Sequence, residues 1–456
     1  MEETNIIAIE IGSSKIKGAH GLFNPSSGIL TVKAVEEEPL QDWVRYGAVV
    51  NVEETSHLVN RIIRKIENRI APRKVSKVYL ALGGRSCCSS PRVIDRKFPE
   101  EQEITDTVLH QLRDEVAETP LPDRDLFAVV PRQYTVDNCT TAKPKGTIGK
   151  RISFAANLIT CQPQSKRNID ILFNDKLGLE IGGYEVRQLA LGDLVLINEE
   201  KRLGCMLVDF GAETTAVSIY KNGHLQYMAT IPIGSRNITR DLTTLNYLEE
   251  KAEEIKIKYG NAGTPVQNTQ QLNGVDITSV NNYVCHRAAE IIANIRKQIE
   301  LAGFKNFDLS AGIIIVGQGA KLIGFNDRLA SATHMKLRIG AITIPEIRIV
   351  DSKISATDAA DVISVLYKAA VHGAGECLTS DIVELTEDEE EVAEDQPEEE
   401  HEPVGVEIDP ETEPDNRGKK KRKGFWKGFK ERINTLIDDS YEEEDGEYVS
   451  LDDDKD

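Results

Sequence analysis

The feature that most constrains this chain is a short pattern that occurs twice, about two hundred residues apart. In the later copy an apolar run over residues 206–208 leads into a polar segment, and a second apolar run over residues 216–220 follows. The polar segment carries one acid, one glycine and two hydroxyl residues: Asp209, Gly211, Thr214 and Thr215. Two apolar strands around a short polar turn predict a β-hairpin.

The polar segment has the composition of a phosphate-binding turn. Gly211 has no side chain, so backbone N–H groups can approach an anion closely. The two hydroxyls add donors, and Asp209 can hold a hydrated Mg²⁺ beside the phosphates. A single copy would fit an ordinary hairpin with a polar turn better than a binding site.

The earlier copy has the same layout of strand, acid, glycine, two hydroxyls and strand. Its polar residues are Glu10, Gly12, Ser13, Ser14 and Lys15. Two such hairpins predict duplicated halves that face each other across a nucleotide, with Glu10 and Asp209 as the acids nearest the metal.

On these two motifs the chain resembles the actin-like ATPase superfamily of actin, sugar kinases and heat-shock chaperone ATPases. The resemblance implies an α/β fold of two duplicated halves that clamp ATP and Mg²⁺ between their turns. The first acid in that superfamily is usually Asp, so Glu10 departs from the pattern and places its carboxylate further out.

The resemblance implies three further contacts with the nucleotide. A strand-to-helix turn at Gly234 and Ser235 would direct helix N–H groups at it. Glu253 and Lys256 share a helix face and would approach the ribose and base, although a solvated ion pair is the ordinary alternative. A glycine turn after a buried strand would pack against the adenosine, and it comprises Gly317, Gln318, Gly319 and Ala320.

Residues 84–161 interrupt the first half with a predicted helix and several alternating strands, which indicates a small inserted α+β module. Here the resemblance narrows to the bacterial cell-division family FtsA, which carries an inserted subdomain, 1C, at this place. The segments that carry it are residues 79–84, 130–134 and 158–161. In the family this subdomain supports filament contacts and recruits later division proteins.

The resemblance divides the chain as follows. Half 1A covers residues 1–83, 162–200 and 345–375; the 1C-like insertion covers 84–161; half 2A covers 201–240 and 305–344; and subdomain 2B covers 241–304. Beyond the core, an acidic disordered linker is predicted over 376–416, an amphipathic helix over 417–438 and an acidic tail over 439–456. Within half 1A, a strand is expected over residues 185–191.

Composition limits the functional classes. The net charge of −20 argues against general nucleic-acid binding. The Asp and Glu residues are concentrated in the last eighty or so residues. Seven scattered cysteines without a CxxC motif predict free thiols in a reducing cytosol. We find neither a signal peptide nor an apolar run near the roughly 18 residues of a membrane span, so a cytoplasmic core is expected.

The segment 417–438 has an apolar and a basic side when drawn as a helix. The apolar side comprises Phe425, Trp426, Phe429, Ile433, Leu436 and Ile437, and the cations comprise Lys423, Lys427 and Lys430. An aromatic-rich face beside a basic cluster is typical of a helix that lies in an anionic membrane surface. Nucleic-acid binding and docking in a protein groove are the alternatives. FtsA proteins end in such a helix.

The sequence therefore predicts an ATP-binding, polymerising adaptor of the FtsA type that anchors the FtsZ ring to the cytoplasmic face of the cell membrane. The expected partners are FtsZ, further copies of the chain, later division proteins and anionic inner-leaflet lipid, and no nucleic acid. At most a weak ATPase is expected. A pilus-assembly actin homologue and a sugar-kinase-like phosphotransferase are the alternatives; the first generally lacks the terminal helix, and the second needs a general base that we do not find.

Overall fold

The computed structural model describes residues 3–379, except residue 142 and residues 264–270. The predicted linker beyond residue 379, the predicted amphipathic helix with its proposed membrane-binding residues, and the predicted acidic tail all lie outside these described residues. In chain order the strands are β1 (Thr4–Ile11), β2 (Lys15–Asn24), β3 (Ile29–Pro39), β4 (Val44–Arg45), β5 (Ala48–Val49), β6 (Lys77–Leu82), β7 (Cys88–Glu103), β8 (Asp125–Val136), β9 (Cys139–Thr141), β10 (Ile148–Cys161), β11 (Glu180–Val186), β12 (Cys205–Phe210), β13 (Thr215–Lys221), β14 (His224–Ile231), β15 (Gln271–Leu272), β16 (Val275–Asp276), β17 (Gly312–Val316), β18 (Leu337–Ile339) and β19 (Ile347–Ile349).

The α-helices begin and end as follows: α1 (Val52–Ile70), α2 (Asp106–Ala117), α3 (Pro163–Asp170), α4 (Arg187–Val195), α5 (Asn198–Leu203), α6 (Ser235–Thr243), α7 (Glu249–Tyr259), α8 (Ile277–Leu301), α9 (Phe325–Thr333) and α10 (Ala360–Val371). A π-helical stretch, Ile171–Lys176, continues α3, and two 3₁₀ segments cover Asn306–Asp308 and Gln318–Lys321.

Two sheets repeat one strand order. In the first sheet the order is β3-β2-β1-β6-β11, and in the second it is β14-β13-β12-β17-β18. Both begin with two antiparallel pairs and continue with two parallel pairs. Strand β19 extends the first sheet by pairing in parallel with β3. The structure thus contains the predicted duplicated halves, each built around one hairpin, β1–β2 or β12–β13.

Helices cover the first sheet, and its central strands β1 and β2 are buried along most of their length. The α1 residues Ile62 and Ile66 lie against Gly18 of β2, where a Cβ atom would come within 2.4 Å of the Ile62 side chain. A Cβ atom at Gly21 would come within 2.7 Å of the Leu366 side chain of α10. These close approaches fix the position of both helices on the hairpin that carries the first glycine turn.

The insertion forms its own sheet of order β7-β10-β8-β9, with α2 packed on it around a separate apolar core. It also contacts β14, the edge strand of the second sheet. Asn157 Nδ2 donates to the Leu225 carbonyl at 2.9 Å, and Ser89 Oγ donates to the Met228 carbonyl at 3.1 Å. The insertion is therefore connected in sequence to the first half but contacts the second half through β14.

Two expectations need correction. The strand predicted over residues 185–191 ends at Val186, and Arg187 begins α4. Burial of Ala190, Leu191, Leu194 and Val195 follows helical spacing, which the short apolar run had concealed. The linker does not begin at residue 376, because Cys377 is buried and its carbonyl accepts hydrogen bonds from the amides of Ser76 and Lys77, and the Thr379 amide donates to the Lys74 carbonyl.

Candidate functional site

A cleft of about 1040 Å³ lies between the two sheets and is lined by both predicted turns. The structure brings together thirteen of the predicted site residues along this cleft: Glu10, Gly12, Ser13, Ser14, Lys15, Asp209, Gly211, Thr214, Ser235, Glu253, Lys256, Gly317 and Gln318. Four others, Thr215, Gly234, Gly319 and Ala320, are not among the residues that line it. The cleft walls therefore come from segments far apart in sequence.

The first turn (residues 12–15) and the second turn (residues 211–214) close in the same way. The Gly12 amide donates to the Lys15 carbonyl at 3.0 Å, and the Gly211 amide donates to the Thr214 carbonyl at 2.9 Å. At either glycine a Cβ atom would lie 2.9 Å from that carbonyl oxygen. Both turns thus require the absence of a side chain at the glycine, as the sequence pattern predicts.

The acids that precede the turns share one cation. Arg187 Nη1 donates to Glu10 Oε1 at 3.1 Å, and Arg187 Nη2 lies 2.5 Å from Asp209 Oδ2. Glu10 and Asp209 are almost fully buried, and Arg187 has 15 % of its side chain exposed. Because Glu10 and Asp209 come from different sheets, Arg187 joins the two halves at the floor of the cleft. Sequence reasoning missed Arg187, which was assigned to a strand.

A second ion pair supports the floor. Lys17, which is paired with Glu10 in the β1–β2 register, lies 2.6 Å from Asp361 at the start of α10. Burial raises the pKa of Glu10 to about 7; Asp361 and Asp209 add to the rise, whereas Arg187 and Lys17 oppose it. Burial lowers the pKa of Arg187, but the attraction of Asp209 and Glu10 outweighs this effect, and the net shift is upward.

The donor chemistry fits Mg²⁺ bound through water. Mg²⁺ prefers carboxylate oxygens and keeps several waters, so one or two acids beside the phosphates suffice. Glu10 and Asp209 supply such oxygens from opposite walls, although both already contact Arg187. Within residues 3–379, as far as the structure describes them, no group of three or more His, Cys, Asp or Glu side chains forms a protein-only metal centre.

The turn at Gly317 packs closely against Asp209 and Phe210 of β12. Gly317 has a φ of 90°, and a Cβ atom there would lie 2.4 Å from the Phe210 carbonyl and 2.9 Å from Asp209 Oδ1. Gly319 packs on the Phe210 ring, and Ala320 is buried. Gly317 and Gln318 therefore reach the cleft, whereas Gly319 and Ala320 support Phe210 beneath it.

The expectation that the helix after Gly234 directs free N–H groups at the nucleotide needs correction. The helix begins at Ser235, and its first two amides donate to the second turn: Ser235 to the Gly211 carbonyl at 3.0 Å and Arg236 to the Ala212 carbonyl at 2.7 Å. Gly234 is required because a Cβ atom would lie 2.3 Å from the Ala212 oxygen. Thr215 donates its hydroxyl to the Ile233 carbonyl. Gly234 and Thr215 hold the turn in place from outside the cleft.

Glu253 and Lys256 form the predicted pair on α7, at 2.7 Å, and both line the cleft. The pair is not simply solvated, because Lys256 is buried and also donates to Thr239 Oγ1 at 2.9 Å and to the Ser235 carbonyl at 3.2 Å. Burial lowers the pKa of Lys256. This pair ties α7 to α6 at the cleft wall.

A buried acid in the second turn was also missed. Glu213 is fully buried, and it accepts the Tyr46 amide at 2.7 Å from the first half. Its carboxylate lies 3.0 Å from Arg45 Nε of the first half and 2.8 Å from Arg240 Nη2 of α6. An acid inside a predicted phosphate turn was a signal in the sequence, but its partners are too distant in the chain to be inferred.

The comparisons with known proteins agree with this geometry. The family model described as "Cell division protein FtsA" matches residues 206–359, and the model of the "SHS2 domain inserted in FTSA" matches residues 87–160. A cell division protein FtsA from Porphyromonas gingivalis is 30 % identical over 356 residues, which cover 75 % of this chain and 72 % of that protein. The chain belongs to the FtsA family of cell-division proteins. An FtsA from Bacillus subtilis is 25 % identical over 73 % of this chain and 80 % of its own length.

A solved chain of the PilM–PilN type IV pilus biogenesis complex shares the fold. It has a TM-score of 0.57 and 16 % identity, and the match covers 80 % of this chain and 98 % of that one. With the repeated sheets, this likeness confirms the predicted actin-like ATPase fold with an inserted subdomain, while family membership separates the FtsA and pilus alternatives. No helix among the described residues is long and apolar enough to cross a membrane.

Proposed function

We propose that this FtsA-family chain is an ATP-binding, polymerising adaptor that ties the FtsZ ring to the cytoplasmic face of the cell membrane and recruits later division proteins. The observation that carries the proposal is the pair of identically closed glycine turns, which face one cleft from two duplicated sheets. Such turns present backbone N–H groups to phosphates without steric obstruction.

In this proposal the glycine turns and their hydroxyls hold the ATP phosphates, and the Glu253–Lys256 pair and Gly317 lie toward the nucleoside. Mg²⁺ would accompany the phosphates, with Glu10 and Asp209 as its nearest protein oxygens through water. The metal would neutralise phosphate charge, and the chain would act mainly as a nucleotide-dependent structural protein. The proposal also includes the predicted domain boundaries, with the start of the linker moved beyond Thr379, and the thirteen predicted site residues that line the cleft.

Membrane attachment is proposed for the segment 417–438. Filaments would set many such segments side by side, and this multivalency would make individually weak anchors effective. The test is co-sedimentation of the full chain with anionic liposomes, comparing the double variant Phe425→Glu/Trp426→Glu with Asn434→Glu on the basic side. We expect the double variant to lose most of its binding and Asn434→Glu to keep it. Undiminished binding of the double variant would refute the anchor.

The adaptor role needs a separate experiment. Electron microscopy of the full chain on an anionic lipid monolayer, with ATP and FtsZ, should show filaments that recruit FtsZ to the lipid. Omission of ATP is the matched control, and omission of FtsZ separates self-assembly from recruitment. If FtsZ reaches the lipid equally well without this chain, the tethering function is wrong.

A further inference from the structure

Arg187 occupies an unusual place at the cleft floor. It is the first residue of α4, and its guanidinium lies between carboxylates from opposite halves, 3.1 Å from Glu10 Oε1 and 2.5 Å from Asp209 Oδ2. The guanidinium thus donates a hydrogen bond to Glu10 and forms an ion pair with Asp209, whose Oδ2 atom has no hydrogen-bond partner among the described residues.

Two facing acids in a buried site need a counter-charge. When two carboxylates are removed from water, they lose their hydration and repel each other more strongly. A buried pair without a counter-charge is therefore strongly disfavoured. A divalent cation between them is one solution. The planar, permanently charged guanidinium is another, since it can donate to two carboxylates at once. In this cleft the counter-charge is the guanidinium of Arg187.

Arg187 also retains a donor. Its Nε atom is buried and has no hydrogen-bond partner among the described residues. A buried N–H without a partner is costly, and an anion in the cleft would satisfy it. The neighbouring Lys17 is engaged differently, because its ammonium contacts Asp361 at 2.6 Å and the Asp358 carbonyl at 2.5 Å. Arg187 therefore combines a fixed charge with a donor suited to a phosphate oxygen.

We propose that Arg187 is a built-in counter-charge for Glu10 and Asp209, so that nucleotide binding in this cleft depends only weakly on a divalent cation. Mg²⁺ that arrives with the nucleotide is then held chiefly by the phosphates and water. The two acids contribute little to its affinity while Arg187 is present. The nucleotide part of this inference is the weak effect of Mg²⁺ on ATP affinity, and it rests on the proposed function. The metal part is the weak binding of Mg²⁺ by the two acids without nucleotide, and it does not.

The metal part is tested on the full chain without nucleotide at pH 8, above the pKa of Glu10, by thermal unfolding in EDTA and in millimolar MgCl₂. Because a ligand stabilises the state that binds it, wild type should shift by less than about 1 °C. Arg187→Met frees two facing carboxylates and should gain several degrees from Mg²⁺. Arg61→Met is the matched control, since Arg61 is 59 % exposed and pairs with Glu38 at the cleft rim; it should behave as wild type.

The nucleotide part is tested by calorimetric titration of ATP into wild type and Arg187→Met, each with Mg²⁺ and with EDTA. We expect the wild-type Kd to change by less than about tenfold and the variant Kd to rise by more than about tenfold on metal removal. A wild-type loss above tenfold, or stabilisation of wild type by Mg²⁺ alone, overturns the inference. Both wild-type measurements decide it even if the variant does not fold. If wild type binds no ATP in either buffer, the proposed function fails and the thermal experiment still decides the role of Arg187.

Discussion

In both glycine turns an amide donates to the carbonyl three residues later, but the two turns are held by different neighbours. The first turn is fixed within its own half, where Ser13 Oγ accepts the Gly47 amide at 3.1 Å. The second turn reaches across the cleft, because Glu213 binds the Tyr46 amide and Arg45 of the first half. Both halves therefore share the closed backbone of the turn, while the side chains at the second turn join the halves.

The largest effect is expected for Glu213→Ala, which tests whether the second turn joins the two halves. The substitution leaves the arginines around Glu213 without their buried partner, so we expect the free energy of unfolding to fall by about 3 kcal/mol. Urea denaturation measures it. The matched control is Glu37→Ala, which removes the partner of Lys15 beside the first turn; both side chains are about half exposed, so a loss below about 1 kcal/mol is expected. Equal losses would mean that the second turn does not link the halves.

Gly12→Ala and Gly211→Ala test the feature that the turns share. Each new Cβ atom would lie 2.9 Å from a backbone oxygen of its own turn, so each turn must distort. We expect each variant to lose about 2 kcal/mol of stability, with similar values for the two. Gly375→Ala is the control for glycine replacement without a close contact, because its φ is not positive and the nearest atom to its Cβ position is 3.9 Å away. A clearly larger loss at one turn would contradict their equivalence.

The acids before the turns differ in length, and Glu10 gives the first turn a pH dependence. Its pKa is about 7 in the folded chain, because burial raises it from 4.5. Between pH 4.5 and 7 the folded state retains a proton that the unfolded state has released, so stability falls as pH rises through this window. Glu10→Gln removes this contribution.

We therefore expect wild type to lose roughly 2–3 kcal/mol relative to Glu10→Gln between pH 4.5 and 7.5, as measured by urea denaturation at both values. His20, whose pKa burial lowers to about 4, is present in both proteins, and its titration cancels in the difference. Parallel stability curves for the two proteins would contradict the buried titration of Glu10.

The smallest effect is expected for Ser13→Ala, which removes the acceptor of the Gly47 amide in the first turn. One hydrogen bond between partly buried groups contributes about 1 kcal/mol. Thermal unfolding should show a lowering of a few degrees at most. Ser14→Ala in the same turn provides the control for loss of a hydroxyl. A loss as large as that of Glu213→Ala would show that the first turn, too, is held from outside.

The two hairpins could be predicted because their signal is local. An acid, a glycine and paired hydroxyls at fixed spacing between apolar strands specify a turn within a dozen or so residues. The repeat then implied two halves, and the structure has them. The same reasoning applies to Gly317, whose positive φ follows directly after a buried strand.

Arg187 and Glu213 could not be placed in this way. The partners of Arg187 are Glu10 and Asp209, so its role depends on how two sheets meet and leaves no spacing in the sequence. The segment after Val186 was also predicted as a strand rather than a helix, because a short apolar run is compatible with both.

Strand β7 of the insertion was not predicted, because its residues are at least partly exposed and show no apolar alternation.

The strand order of the first sheet determines when it can be completed during synthesis. That sheet contains β1, at the start of the described chain, and also β19, which pairs with β3, and it needs α10 to cover its face. The insertion and the second sheet each use a shorter stretch, 88–161 and 205–339, and can pair their strands earlier. As a ribosome delivers the chain in order, the first half must wait with its apolar strands open while the rest folds. A chain that stops before α10 is therefore expected to aggregate through its first half, although both glycine turns have already been made.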